Sequence, residues 1–477
     1  MGTPRRLFFS LHIVPFLPKF SLVILPSTRS NKSRCALAAI VLAVLAVVLL
    51  FKSFYKFGEI TPITQPVDFR AFYCGAKVVS EHHDPYRVHS MAVCENAAAD
   101  EFRLPHRDIL PAPLPPYALY ALSPLARLPF AVASTLWAFF ILLAYCGSVA
   151  MLVRLTKLPT ALVLASTILP SLFTSFGVGQ FGPLLIVAIL GTVFSLRKKN
   201  KWAFISCCAC LTLEPHVALP VFLSCAIFSK ISRKWIVSIA VVALAITLAM
   251  GPQITDEYFT RVLPAHAASE IDNFQQFSLA NAMWSLGVPA HLALTVGTVS
   301  YVAMLLLGLS CAGLLYRQTN DIAYIVLVPV AFITLAGPFI HIAQIATAIP
   351  LALYIVARAG KHRAVAILAA TLLAVPIQPI LFWSATIGPF IGGSQRIPSN
   401  LERPPIEADP IFHAKLENPT AIDSIVAGPF EKTTLLPKVP TWLALLLLIF
   451  VTIQRIRAQT HSIRATTRHD ELLQPNF

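Results

Sequence analysis

Long apolar runs alternate with short polar breaks along most of the chain. From residue 35 onward the runs are rich in Leu, Ala, Val and Ile and are about 15 to 25 residues long, the length of a bilayer-spanning helix. Short segments of alternating polarity, the pattern of a membrane β-barrel, do not appear. The breaks are of two kinds. One kind is basic: Arg29, Lys32 and Arg34; Arg154 and Lys157; Arg197, Lys198, Lys199 and Lys201; Lys230, Arg233 and Lys234; Arg358, Lys361 and Arg363. The other is acidic or proline-rich, as in 252–290 and 385–437. Basic breaks mark the cytoplasmic side of a membrane protein, and this asymmetry predicts a route.

Placing the basic breaks inside makes residues 35–54 run outward, and the chain then stays outside through 129, with 109–129 a short interfacial or re-entrant helix. Residues 130–153 return, 161–176 leave and 183–196 return. The block 202–229 has basic residues on both sides and Glu214-Pro215-His216 in its middle, which predicts two short helices meeting near the outer half of the membrane. Residues 235–250 then leave, 291–316 return, 322–336 leave, 340–357 return, 364–383 leave and 439–453 return. The expected fold is all-α and polytopic, with about twelve crossings. Its parts are a cytoplasmic or interfacial segment 1–34, a membrane core 35–384 with outer loops 55–129 and 252–290, a proline-rich outer loop 385–437, a last membrane helix 438–454 and a basic tail 455–477.

Composition agrees. Of 477 residues 56% are hydrophobic and 12% charged, where soluble domains carry about 25% charged residues. The formal net charge of +15 could signal nucleic-acid binding, but that needs one basic face. Here the charge is divided among short loops, so membrane lipids rather than nucleic acid are the expected surroundings. Nine cysteines form no metal-ligand spacing. Cys207, Cys208 and Cys210 fall in an apolar run, where thiols pack; Cys74 and Cys94 share the first outer loop, and the sequence leaves a bridge between them open.

Polar residues that could carry chemistry cluster at the outer breaks. Asp68 stands at the start of a helical stretch, amid aromatics, where a carboxylate can act as a base or simply cap the helix. Arg70 and Tyr73 follow it, and Asp84-Pro85-Tyr86 reads as a turn or as a second contact point. Gly177-Val178-Gly179-Gln180 has too many glycines to stay helical and lacks the Lys and Ser or Thr of a phosphate loop. Glu214 and His216 are ionisable groups inside an apolar block, a costly placement that points to function or to a helix-to-helix tie. Asn273 and Gln276 lie among aromatics, in a composition that suits carbohydrate. His341 follows Gly337-Pro338, with Gln344 one turn later on the same face.

These pieces, in this order, resemble glycosyltransferase family 87, polyprenyl-phosphate-dependent enzymes of the GT-C superfamily. The resemblance runs from Asp68 to Tyr354. It rests on Asp68-Phe69-Arg70-Ala71-Phe72-Tyr73-Cys74-Gly75-Ala76, on Asp84-Pro85-Tyr86, on Pro115-Pro116-Tyr117 and on Gly179-Gln180. Later come the stretch from Asn273 to Ala280, and Pro338 with His341, where Ile340 stands in place of the family's tryptophan. Glu214-Pro215 occupies the place where the family commonly has Lys-Pro.

The resemblance implies a GT-C-like fold and an inverting transfer at the outer face of the plasma membrane, from a polyprenyl-phosphate sugar donor to a lipid or glycan acceptor. Asp68 would be the base, and no cofactor or metal would be needed. Arg70, Tyr73, Asp84, Tyr86, Gln180, Glu214, His216, Asn273, Gln276, His341 and Gln344 would line the substrates. Two alternatives fit the same hydropathy: a transporter or flippase of lipid-linked substrates, which would show repeat symmetry, and a non-catalytic subunit that binds glycolipid.

The route makes a direct prediction. A single cysteine at position 403 should react with a membrane-impermeant maleimide in intact cells, and one at position 198 should not. The opposite labelling would invert the topology.

Overall fold

The computed structural model describes residues 67–101, 112–271, 273, 276–358, 360, 362–375, 435 and 438–473. The segment 1–34, the expected first crossing 35–54, nearly all of the loop 385–437 and Asp272 lie outside the described residues. Those described are helical apart from connections and one isolated bridge between Gln276 and His341.

Seventeen α-helical segments follow one another among the described residues, the tenth and eleventh joined without a break by the π-helix Tyr258–Val262. They are α1 (Val67–Ser80), α2 (Val88–Glu101), α3 (Pro116–Ala126), α4 (Phe130–Thr156), α5 (Thr160–Phe176), α6 (Gly182–Lys198), α7 (Lys201–Leu211), α8 (Pro215–Phe228) and α9 (Lys230–Ala249). After them come α10 (Pro252–Glu257), α11 (Leu263–Ser269), α12 (Leu279–Ser285), α13 (Ala290–Thr319), α14 (Ala323–Ile333), α15 (Ile342–Arg358), α16 (Arg363–Ala374) and α17 (Val439–Leu473). Four of them, α4, α9, α13 and α17, contain apolar stretches long enough to cross a membrane, and six shorter helices are also apolar. As the interrupted block predicted, residues 201–228 form two short helices, broken at 212–214.

Proline and the cationic residues punctuate this order. Proline stands at the first or second position of α3, α6, α8, α10 and α11, where its missing N–H costs nothing. Lys157 and Lys199 end α4 and α6 in left-handed conformation, and their charge also suits the negative end of the helix dipole.

Prolines inside the apolar helices create a different demand, because each frees the carbonyl four residues before it and lipid offers that carbonyl no partner. Pro329 in α14 frees the Ile325 carbonyl, and Ser224 Oγ of α8 donates to it at 2.6 Å. Pro220 in α8 frees the His216 carbonyl, and Tyr301 Oη of α13 donates to it at 2.6 Å. Helices α8, α13 and α14 are thus cross-linked through their own defects. At Gly308 of α13 an added Cβ would come within 2.9 Å of Pro329 Cα, so glycine is what lets α13 and α14 approach this closely.

The two ends of the bundle differ chemically. At one end Asp321 binds Arg197 at 2.7 Å and Arg358 at 3.8 Å and accepts from the Tyr354 hydroxyl. Arg455, near the middle of α17, donates to the Arg358 carbonyl at 2.8 Å, so α17 and the ends of α6, α14 and α15 are tied together there. The opposite end carries the N-termini of α1, α6, α8 and α15, with the connections 177–181 and 270–278 between them.

Tyr301→Phe should strand the His216 carbonyl and lower the melting temperature of the purified protein, at a cost of about 1–3 kcal/mol. Pro220→Ala restores an N–H for that carbonyl, so Tyr301→Phe should cost much less in the Pro220→Ala background. Equal losses in the two backgrounds would contradict the defect-filling role.

Candidate active site

The site is built on the connection 177–181. Gly179 adopts φ 86°, a left-handed conformation that favours glycine, and the backbone N–H groups of Gly179 and Gln180 both donate to the Ser175 carbonyl, at 2.7 and 2.9 Å. Trp137 of α4 clamps the turn by donating from Nε1 to the Gly179 carbonyl at 2.8 Å. Its ring stacks on Phe69 of α1 with centroids 5.0 Å apart and meets Phe181 edge-on at 5.4 Å, while Phe72 stacks on Phe181 at 4.8 Å. The N-terminus of α1 is thereby pressed onto the turn, and Asp68 N–H, an orphan of the first helical turn, donates to the Val178 carbonyl at 3.0 Å. This docking puts Gln180 Nε2 2.6 Å from Asp68 Oδ2.

A second wall forms where 270–278 meets the start of α15. Phe277 N–H donates to the Ile340 carbonyl at 2.7 Å, and Ile340 N–H donates to Gln276 Oε1 at 2.9 Å. Fixing Oε1 in this way turns the Gln276 amide nitrogen toward His341 Nε2, 3.1 Å away. The same imidazole nitrogen lies 3.6 Å from Glu270 Oε2, and Asn273 donates to that carboxylate. A neutral His341 can accept from the amide; a charged one can donate to the carboxylate. Gln344 Oε1 accepts from His341 N–H at 2.6 Å, and Gln344 Nε2 reaches Glu214 Oε2 at 3.4 Å. Glu214 Oε2 is in turn 3.3 Å from His216 Nε2. A chain of polar contacts thus runs from Asn273 and Gln276 through His341 and Gln344 to Glu214 and His216. Glu214, Gln276 and Gln344 are its buried members.

Asp68 faces both walls. Burial raises its carboxyl, the Gln180 hydrogen bond and nearby His341 lower it, and Glu270 raises it, for a net rise to about 6. Burial also opposes the charge on Glu270, but His341, His266 and Asn273 outweigh it and hold that carboxyl down at about 2. Two carboxyl groups in one site are therefore pushed in opposite directions, so that one can exchange a proton near neutral pH while the other stays an anion.

Eight of the expected site residues are joined into these two walls: Asp68, Gln180, Glu214, His216, Asn273, Gln276, His341 and Gln344. The other four have polar atoms committed elsewhere. Arg70 pairs with Glu95 at 3.1 Å in the buried contact between α1 and α2, beside a disulfide joining Cys74 and Cys94. Tyr73 donates to the Leu128 carbonyl and Tyr86 to the Leu114 carbonyl, each at 2.8 Å. Asp84 accepts from Tyr86 N–H at 2.9 Å and from Arg87 Nε at 3.0 Å. Two further groups enter the site without having been expected: Glu270, and His266, which lies within electrostatic reach of Glu270, His216 and His341. Their signal was faint, an acid three residues before Asn273 in a loop already rich in acids. Among the described residues no cluster of His, Cys, Asp and Glu is arranged to hold a metal ion.

Comparison with known families adds the decisive observation. Residues 114–338 match the family model of glycosyltransferase family 87. The match implies a glycosyltransferase, and with the apolar helices it marks a membrane protein. No curated protein and no solved structure matches the chain. The family 87 match takes in Gln180, Glu214, His216, His266, Glu270, Asn273 and Gln276; Asp68 precedes it, and His341 and Gln344 follow it closely. The Asp68 wall is therefore joined to the matched segment by the structure, through Gln180 and Val178.

An infrared titration should show one carboxyl band with a midpoint near the value of about 6, missing in Asp68→Asn. Gln180→Leu removes a donor that favours the carboxylate, so the midpoint should move further up. The linkage has a definite sign. A raised folded-state pKa stabilises the fold at low pH, and that stability is lost as pH rises through about 6. Asp68→Asn should then melt no lower than the parent at pH 7.5, and a midpoint near the ordinary aspartate value would contradict this reading.

Proposed function

We propose that the protein is an inverting glycosyltransferase of GT-C-like architecture with about twelve crossings, moving a sugar from a polyprenyl-phosphate donor to a lipid or glycan acceptor at the outer face of the plasma membrane. The observation that carries this is the Asp68 carboxyl, held by Gln180 and facing His341 across the site. A base with a pKa of about 6 is ionised at neutral pH and still basic enough to draw off a hydroxyl proton as that hydroxyl becomes bonded. Asp68 takes the proton of an acceptor hydroxyl, whose oxygen forms a bond to the anomeric carbon. The bond from that carbon to the phosphate oxygen breaks on the opposite face. Its electron pair leaves with the phosphate, which passes from a diester with one negative charge to a monoester with more. On the side of the site that faces Asp68, His341 can donate to that growing charge.

Orientation has its own support. The site end lies opposite the Arg197, Arg358 and Arg455 network, and basic residues mark the cytoplasmic side. The Cys74–Cys94 bond belongs to an oxidising compartment, which agrees with an outer location for α1 and α2.

Asp68→Asn should lower turnover by about 10²- to 10⁴-fold while leaving donor affinity close to that of the parent, since the carboxylate is needed chiefly in the transition state. In the parent, turnover should fall off below a pH of about 6. The assay is release of polyprenyl phosphate by purified protein in nanodiscs from a panel of polyprenyl-phosphate sugars. Turnover above half the parent's in Asp68→Asn would remove Asp68 as the base.

A further inference from the structure

Three imidazoles, those of His216, His266 and His341, share the site end with three carboxylates, Asp68, Glu214 and Glu270. Two of the imidazoles have a buried ring nitrogen without a hydrogen-bond partner, Nε2 of His216 and Nδ1 of His266. His216 Nε2 lies 3.3 Å from Glu214 Oε2, yet it is not directed into a hydrogen bond with it. Buried polar atoms almost always have partners, and those that lack one commonly await a ligand or an ion. His216 sits in the first turn of α8 and His341 begins α15, both places where the helix dipole favours a negative group.

Charge then decides what can bind. With the imidazoles neutral, three carboxylates would repel a phosphate. The charged groups facing each imidazole are few among the described residues. His216 faces Glu214, His341 and His266; His266 faces Glu270, His341 and His216, with Phe339 against its ring at 4.6 Å. His341 faces Glu270 and Asp68 as well as the other two imidazoles. Lys438 is buried and committed to Asn281 at 2.7 Å. Among the described residues, the cation that a phosphate needs is therefore one the site makes by taking up a proton.

We propose that His216 and His266 are phosphate-binding residues that become charged as the donor binds, so that donor binding takes up protons. The inference rests on the proposed donor class and deepens it. Each incoming proton adds to the unpartnered ring nitrogen and turns it from an idle atom into a donor toward a phosphate oxygen. Glu214 lies beside His216 and Glu270 beside His341, so each added proton also gains a neighbouring carboxyl group. Burial keeps the free His266 imidazole neutral, with its pKa lowered to about 4, so a proton arrives there only with the anion.

The probe is a polyprenyl methyl phosphate diester, whose single charge stays constant between about pH 5 and pH 8, with the parent polyprenol as the uncharged control. Binding is measured in nanodiscs by titration calorimetry, in buffers of different ionisation enthalpy, so that protons taken up are counted directly. Asp68→Asn serves as the background, because Asp68 itself titrates in this range.

The expected result is net proton uptake and a Kd that falls up to tenfold per pH unit for each proton taken up. His216→Gln and His266→Gln, each checked by its melting curve, should each reduce the uptake and flatten the pH dependence. Diester binding with no proton uptake, or with uptake unchanged in both variants, would overturn the inference and leave the donor class standing. Diester binding no tighter than polyprenol at every pH would overturn the donor class as well.

Discussion

The placement of Asp68 depends on one docking event, the N-terminus of α1 held against the turn 177–181 by Trp137. The indole does two jobs at once: its N–H satisfies the Gly179 carbonyl, and its ring is packed between Phe69 and Phe181. Aromatic contacts of this kind contribute about 0.5–1.5 kcal/mol each beyond buried area. They hold α1, which carries Asp68, onto the connection that carries Gln180. Without the clamp the Asp68 carboxyl would lose its amide partner and its burial together, and both set its proton affinity.

The bundle combines two opposite treatments of polar groups. Where helices are broken by Pro220 and Pro329, each freed carbonyl is filled by a hydroxyl from a neighbouring helix, and at the Asp321 end charges of opposite sign are paired. The site end keeps an aspartate whose ionisation burial opposes and two imidazole nitrogens without partners. Gly297 belongs to the same economy of space: an added Cβ there would come within 2.8 Å of the Gly337 carbonyl, so α13 supports the turn leading to His341 by direct contact.

Much of this was legible in the chain because an apolar sequence makes its polar residues conspicuous. Glu214 and His216 stand out as ionisable groups in an apolar block, and Gly177-Val178-Gly179-Gln180 as a stretch that cannot remain helical; both mark real breaks that carry site residues. Proximity in sequence misled in one respect. Arg70 and Tyr73 follow Asp68 so closely that they read as its neighbours, yet on a helix they point roughly 200° and 140° around from it. Both instead hold α1 to neighbouring segments, through Glu95 and the Leu128 carbonyl. Glu270 and His266 escaped notice because an acid or imidazole in a polar loop reads as solvated. Only the tertiary approach of 270–278 to α15, fixed by Phe277 and Gln276, shows what they face.

The account's central claim is a single displacement in which the acceptor oxygen replaces a polyprenyl phosphate on the far face of the sugar. The stereochemistry of the product tests it most directly. Purified protein in nanodiscs is given β-linked polyprenyl-phosphate sugars with membrane lipid extracts as acceptor, and the anomeric configuration of the new bond is read by NMR. The account predicts an α-linked product, with polyprenyl phosphate released in equal amount and no product from nucleotide sugars. A β-linked product, or transfer directly from a nucleotide sugar, would contradict it.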